Sequence, residues 1–210
     1  MSTENDQYGS GWVETAKRFK TLVDTNTQLP ASPGKGVFLG HAFSVLLENP
    51  EGIIAPDNPS RRKLEKLMEI LRLDDFSVHC ALEREGWGER LMSPEKAVVL
   101  DNDQVSKADH IVTYPQNSPG AFMELGFAAA GADINMTNKS LLIILSGSVT
   151  QTDAINLTDE QNSVRGVIEW MKTQGSRAEV IYDNTVSLEE FVATVVPQIQ
   201  DFVNPAQGEH

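Results

Sequence analysis

The chain has a single cysteine, Cys80, among 210 residues, so it can form no internal disulfide and no thiolate-rich metal site. A small apolar residue at a strand end, Cys80 reads as inert core. Basic residues are scarce as well. Seventeen Lys and Arg against 30 Asp and Glu leave a net charge of -13, which argues against a protein that grips a nucleic-acid backbone with clustered cations. Any phosphate bound here is held locally. No apolar run approaches the roughly 20 residues of a membrane span. The acidic, polar start Met-Ser-Thr-Glu-Asn-Asp is unlike a secretory signal, and the expected location is the cytoplasm. The chain also lacks G-x-G-x-x-G, a Walker loop and a G-x-S-x-G elbow, which argues against dinucleotide hydride transfer, P-loop phosphoryl transfer and hydrolase-elbow chemistry. His41 and His79 are too isolated to suggest a histidine-based triad.

What is present is alternation. With 40% hydrophobic residues the chain can bury one substantial core. Residues 1–34 read as a polar tail, a short amphipathic helix over 12–23 and a Pro/Gly/Ser-rich linker, and the domain spans 35–205. Within it, β-rich apolar runs at 36–39, 76–81, 110–114, 140–145 and 179–182 alternate with helix-period segments at 60–71, 94–106, 119–130, 160–173 and 187–202. Five strands alternating with helices predict an α/β fold: a doubly wound five-stranded parallel sheet, flavodoxin-like or Rossmann-like, with helices on both faces. Ligands of such sheets sit beyond the carboxyl ends of the strands, near the switch in strand order. The turns after the first three strands are therefore the candidate pocket.

Each of those turns has a functional and a purely structural reading. Gly40-His41-Ala42-Phe43-Ser44 has small residues that let backbone N–H groups approach an anion; it also reads as an ordinary strand exit with Phe43 in the core. Ser118-Pro119-Gly120 suits a helix start, Ser118 as cap and Pro119 at the first helical position. The same helix start, with a hydroxyl and the bare backbone of Gly120, can seat a monophosphate without Lys or Arg. Glu124 follows on that helix among Phe122, Met123, Leu125 and Phe127. A carboxylate in that company can attack an anomeric carbon or stabilise an oxocarbenium-like transition state; surface glutamates on helices are also common. In Glu83-Arg84-Glu85-Gly86-Trp87-Gly88, Trp87 can stack on a planar base and Arg84 can pair with a phosphate or a base carbonyl, or the stretch is a solvated loop with one packing Trp. Asp101, Asp103 and Asp109 do not match a calcium loop. The first two read as a solvated helix surface, and Asp109 as a group on the pocket floor or a helix-to-strand turn.

Taken together, Val37-Phe38-Leu39-Gly40-His41-Ala42-Phe43, Arg84-Glu85-Gly86-Trp87-Gly88, Leu100-Asp101-Asn102-Asp103 with Lys107-Ala108-Asp109, and Ser118-Pro119-Gly120 leading to Met123-Glu124-Leu125-Gly126 resemble the nucleoside 2-deoxyribosyltransferase superfamily. Within it the likeness is to the cytidine monophosphate hydrolases, nucleotide N-glycosidases. The resemblance covers roughly residues 36–146. It implies that Glu124 is the catalytic carboxylate, that Asp109 steadies it, and that Ser118 and Gly120 contact a 5′-phosphate, serine standing where true deoxyribosyltransferases place aspartate. It further implies that Phe38, Gly40, His41, Phe43 and Ser44 line the base and sugar site, with Arg84 and Trp87 as pocket wall. Ser44 is a departure, since some cytidylate hydrolases carry arginine there. The implied activity is hydrolysis of a nucleoside 5′-monophosphate, with a pyrimidine such as CMP or dCMP, to free base and (deoxy)ribose 5-phosphate. The alternatives are base exchange by a nucleoside 2-deoxyribosyltransferase and a silent nucleotide-sensing module. No metal or organic cofactor, nucleic-acid polymer or membrane is implied as a partner, whereas at least a homodimer is.

Overall fold

A computed structural model describes residues 35–42, 52–115, 126, 139–146 and 159–205 of the chain. Five strands, β1 (Gly36–His41), β2 (Ser77–Cys80), β3 (His110–Tyr114), β4 (Ser140–Ser146) and β5 (Arg177–Asp183), form one sheet in the order β2-β1-β3-β4-β5. All four pairings are parallel. The helices are α1 (Pro59–Leu73), α2 (Ala81–Arg84), α3 (Pro94–Lys107), α4 (Asp159–Thr173) and α5 (Leu188–Val203), with a 3-10 turn at Gly86–Gly88. This is the doubly wound α/β architecture the alternation predicts, and its strand order is that of flavodoxin-like sheets, with the switch point between β1 and β3.

The period-2 geometry of strands sorts the core into two layers. On one face Val37, Leu39, Val112, Tyr114, Leu142 and Ile144 pack against α1 and α5 through residues such as Leu67, Leu71, Phe191 and Ile199. On the other, Phe38, Ile111, Leu141, Ile143 and Leu145 pack against α3 and α4 through Val105, Val164, Ile168 and Met171. The interior strand β4, Ser-Leu-Leu-Ile-Ile-Leu-Ser, is buried from Ser140 to Leu145; a strand covered on both faces needs that unbroken apolar run rather than alternation.

Local signals set the element ends. Asn58 caps α1, its Oδ1 accepting from the N–H of Ser60 and Arg61 at 3.0 and 3.1 Å, with Pro59 in the first turn. Ser187 caps α5 through the N–H of Glu190 at 3.1 Å. At the C-terminus of α3, buried Lys139 donates to the carbonyls of Val105, Ser106 and Ala108 at 2.6, 2.6 and 2.7 Å. A cation there meets carbonyls that the helix leaves without partners. Desolvation nevertheless pulls the Lys139 amine down to about 8, opposed by the charge of Asp109.

Two differences from the sequence-based expectation stand out. Strand β1 continues through Gly40 to His41, so these residues belong to the sheet rather than to the turn after it. Ala81, expected to end the second strand, instead opens α2, and the stretch from Glu83 to Gly88, expected to be a loop, forms the end of that helix and the 3-10 turn. Its charged residues are drawn into ion pairs and its tryptophan into the core, and both reward a compact turn.

Candidate functional site at the switch point

Strands β1 and β3 pair from Val37 with His110 to His41 with Tyr114, so their carboxyl ends finish side by side. The N–H of Ala42 continues the ladder to the Tyr114 carbonyl at 3.2 Å. There the His41 and Tyr114 rings stack, with centroids 5.2 Å apart and planes 27° from parallel. His41 Nδ1 lies 3.2 Å from the Ala42 carbonyl. A carbonyl can only accept, so Nδ1 carries the proton and Nε2 of the neutral ring keeps its lone pair. Desolvation lowers the His41 pKa to about 4, only partly offset by that hydrogen bond. Near neutral pH the switch point therefore presents a neutral imidazole with an acceptor nitrogen.

Tyr114 escaped the sequence reading. It is buried, and its hydroxyl has no hydrogen-bond partner; burial first, and then the charge of Asp183, push the phenol well above its ordinary pKa. The phenol therefore stays protonated near neutral pH. The only signal in the sequence was its place as the last residue of an apolar strand. Asp183, at the end of β5, is itself held by Lys63 Nζ at 3.0 Å and by the Thr185 hydroxyl at 2.5 Å.

On the β2 side of the switch point, Arg84 is the centre of a charged cluster between α2 and α3. Its guanidinium donates to Asp101 at 2.8 Å, Gln104 at 2.9 Å and Glu85 at 3.1 Å. The side chains of Arg84, Glu85 and Asp101 are only 13%, 11% and 16% exposed. Desolvation raises the Asp101 carboxyl above its usual pKa, against the pull of Arg84. Asp101 is thus a partly buried partner of Arg84 rather than part of a solvated surface. Asp101 and Gln104, three apart on α3, share the helix face turned to Arg84; that spacing was the available signal.

Trp87 belongs to the core cluster of the α1/α5 face. The Arg61 guanidinium lies over its ring, 4.8 Å from the centroid, and Arg61 Nη1 also donates to the Ile54 carbonyl at 2.6 Å. The Ile54 N–H in turn bonds to the Trp87 carbonyl at 2.8 Å. One ring face is therefore covered by a cation, and the residue fastens the 52–55 segment to the turn. The reading of Trp87 as a base-stacking wall gives way to one of a packing residue.

Two further expected site residues lie elsewhere. Phe38 is fully buried on the α3/α4 face, stacked on His79 at 6.3 Å, because strand alternation turns it away from the His41 side. Asp109 sits at the opposite end of the sheet. Its Oδ2 accepts from the Gly36 N–H at 2.9 Å, and its own N–H donates to the Gly36 carbonyl at 2.9 Å. At about 3.3 Å per residue, five residues of strand put it about 16 Å from Tyr114. It clasps the starts of β1 and β3, which corrects its placement on the pocket floor. Gly40 and His41 do meet at the switch point, whereas Phe43, Ser44, Ser118, Gly120 and Glu124 lie outside the described residues. No group of three or more metal-ligating side chains occurs among the described residues, and no helix there is long and apolar enough to cross a membrane.

No protein-family model and no curated protein matches the chain. Among solved structures, the solution structure of BlsM resembles it at 23% identity with a TM-score of 0.48, over 83% of this chain and 98% of BlsM. A likeness at that level assigns no chemistry.

Proposed function

We propose that this protein is a nucleoside 5′-monophosphate N-glycosidase, cleaving the bond between base and sugar with water to give free base and (deoxy)ribose 5-phosphate. The observation that carries the reading is the pairing of His41 with Tyr114 at the switch point. These neighbouring strand ends directly precede, in the sequence, the two segments whose motifs suggest the chemistry, 42–44 and 116–124. That is where parallel sheets of this order bind ligands.

In this reading the Glu124 carboxylate attacks C1′ or stabilises its developing positive charge while the base departs, and water then completes the hydrolysis. Ser118 and Gly120 hold the 5′-phosphate at a helix start. His41, neutral and with a free acceptor nitrogen, accepts from a sugar hydroxyl or an exocyclic amine of a pyrimidine such as cytosine. A monophosphate held by N–H and hydroxyl donors suits a chain with a net charge of -13, whose field disfavours polyanions.

The test is base release, followed by chromatography, from ribo- and deoxyribonucleosides and their 5′-monophosphates, with wild type beside Glu124→Ala. Release from monophosphates alone, reduced at least a hundredfold in the variant, is the expected result. Transfer of the sugar to an added base faster than to water would replace the reading with base exchange. Tight nucleotide binding without release would replace it with a sensing module.

A further inference from the structure

Resting on the N-glycosidase reading, we infer that His41 is the base-selecting residue of the switch-point site: its Nε2 takes bases that present an exocyclic amine, cytosine or adenine, in preference to their carbonyl counterparts, uracil or hypoxanthine.

Three contacts fix the imidazole. Its backbone is held in the ladder opposite Tyr114. Its ring lies against the Tyr114 ring, 5.2 Å between centroids and 27° from parallel, and Tyr114 is itself locked in the buried α1/α5 layer. Its Nδ1 donates to the Ala42 carbonyl at 3.2 Å. Turning the ring over would bring a C–H to that carbonyl and forfeit the bond, so orientation and tautomer are set together. Nε2 is the nitrogen left over, and among the described residues nothing bonds to it. Burial holds the ring neutral near pH 7, with a pKa lowered to about 4, so Nε2 gains no second proton and acts as an acceptor alone.

A fixed acceptor separates some ligand groups and not others. A sugar hydroxyl both donates and accepts, so it bonds equally well to either tautomer and gains nothing from the one chosen. Amine and carbonyl are the groups the choice tells apart. The exocyclic amine of cytosine or adenine donates to Nε2, whereas the carbonyl oxygen in its place on uracil or hypoxanthine can only accept. Facing Nε2, that oxygen sets lone pair against lone pair and leaves two desolvated acceptors without a donor. Sites built to hydrogen-bond a ligand group reject analogues that lack it for this reason.

Two measurements on the full-length protein test the assignment. Imidazole nitrogen shifts from long-range proton–nitrogen NMR report the tautomer of wild type: a protonated Nδ1 and bare Nε2 are expected, and a proton on Nε2 would overturn it. Affinities for CMP, UMP, AMP and IMP are then compared by calorimetry in Glu124→Ala, where substrate survives, and in Glu124→Ala/His41→Gln, whose amide can turn either its oxygen or its NH2 to the base. The expected result is amine-bearing nucleotide bound at least tenfold more tightly than its carbonyl counterpart, a ratio that falls to within about threefold in the His41→Gln background. Equal affinities within both pairs, or a preference that survives His41→Gln, would overturn base selection by His41. The expected preference without base release from wild type would overturn the N-glycosidase reading and leave base selection standing. Binding of none of the four would overturn both.

Discussion

Arg84 has the most concentrated set of obligations in the described structure. Its guanidinium faces two carboxylates and an amide in a site shielded from water, which leaves Nε without a partner. A buried pair adds little over an apolar substitute of the same shape, yet removing one member strands the other charge. Arg84→Met is therefore expected to cost about 3 to 5 kcal/mol, with Asp101 and Glu85 left facing each other. Urea unfolding monitored by circular dichroism measures it, and a loss under 1 kcal/mol would show that the cluster is solvated. The residue types here were legible from sequence but their partnership was not. Arg84 and Asp101 are 17 residues apart, and only the packing of α2 beside α3 makes them neighbours. Asp109 teaches the converse. Its place before a strand was plain, but its partner, the Gly36 N–H at the start of β1, lies 73 residues away.

At the scale of elements, the 3-10 turn after β2 is the least regular piece and the most constrained. Gly86, Trp87 and Gly88 all have positive φ, at 59°, 57° and 101°, a conformation that costs an L-residue about 1 to 2 kcal/mol. Trp87 accepts it because its ring is buried and covered by Arg61. At Gly88 a Cβ would stand 2.1 Å from the Gly52 carbonyl oxygen, whereas at Gly175, also at positive φ, it would meet nothing within 4 Å. Gly175→Ala is thus expected to cost about 1 kcal/mol, from backbone strain alone. Gly88→Ala should cost about 3 kcal/mol or more, since the 52–55 segment must move as well. Thermal unfolding of the two variants side by side checks this, and equal losses would refute the close approach. From sequence this turn reads as a flexible glycine loop, because nothing local reveals that the 52–55 segment crosses it. The regular elements were far more legible: helical period places α1 over 60–71, where it runs from Pro59 to Leu73, and the apolar run at 140–145 places β4.

For the whole molecule, pH is the broadest probe. His41 and His79 are both held near pKa 4, in each case chiefly by desolvation. In the unfolded chain each takes its proton near 6.5. Between those values the unfolded state binds more protons, so stability falls as pH drops from about 6.5 toward 4. The contribution is fully present above 6.5, and its loss reaches roughly 3 kcal/mol per histidine by pH 4, at 1.36 kcal/mol per unit. Urea midpoints between pH 7 and 4 should decline less steeply for His41→Gln than for wild type. Identical slopes would mean that His41 is solvated. His41→Gln should also weaken any base release in the Proposed function assay less than Glu124→Ala, since its place there is to accept a hydrogen bond and not to react.

The sequence by itself determined the class of fold and the order of elements along the chain, because hydrophobic period and helix caps are local properties, written within a few residues of where they act. It also determined what the protein lacks: a disulfide, a dinucleotide loop and a field suited to polyanions. Only the tertiary structure decided which strand ends meet. The pairing of β1 with β3 brings His41 onto Tyr114 at one end of the sheet and clasps Asp109 to Gly36 at the other. Those outcomes depend on strand register and on which face each residue occupies. Both are fixed by burial against elements distant in sequence, and no local pattern encodes them.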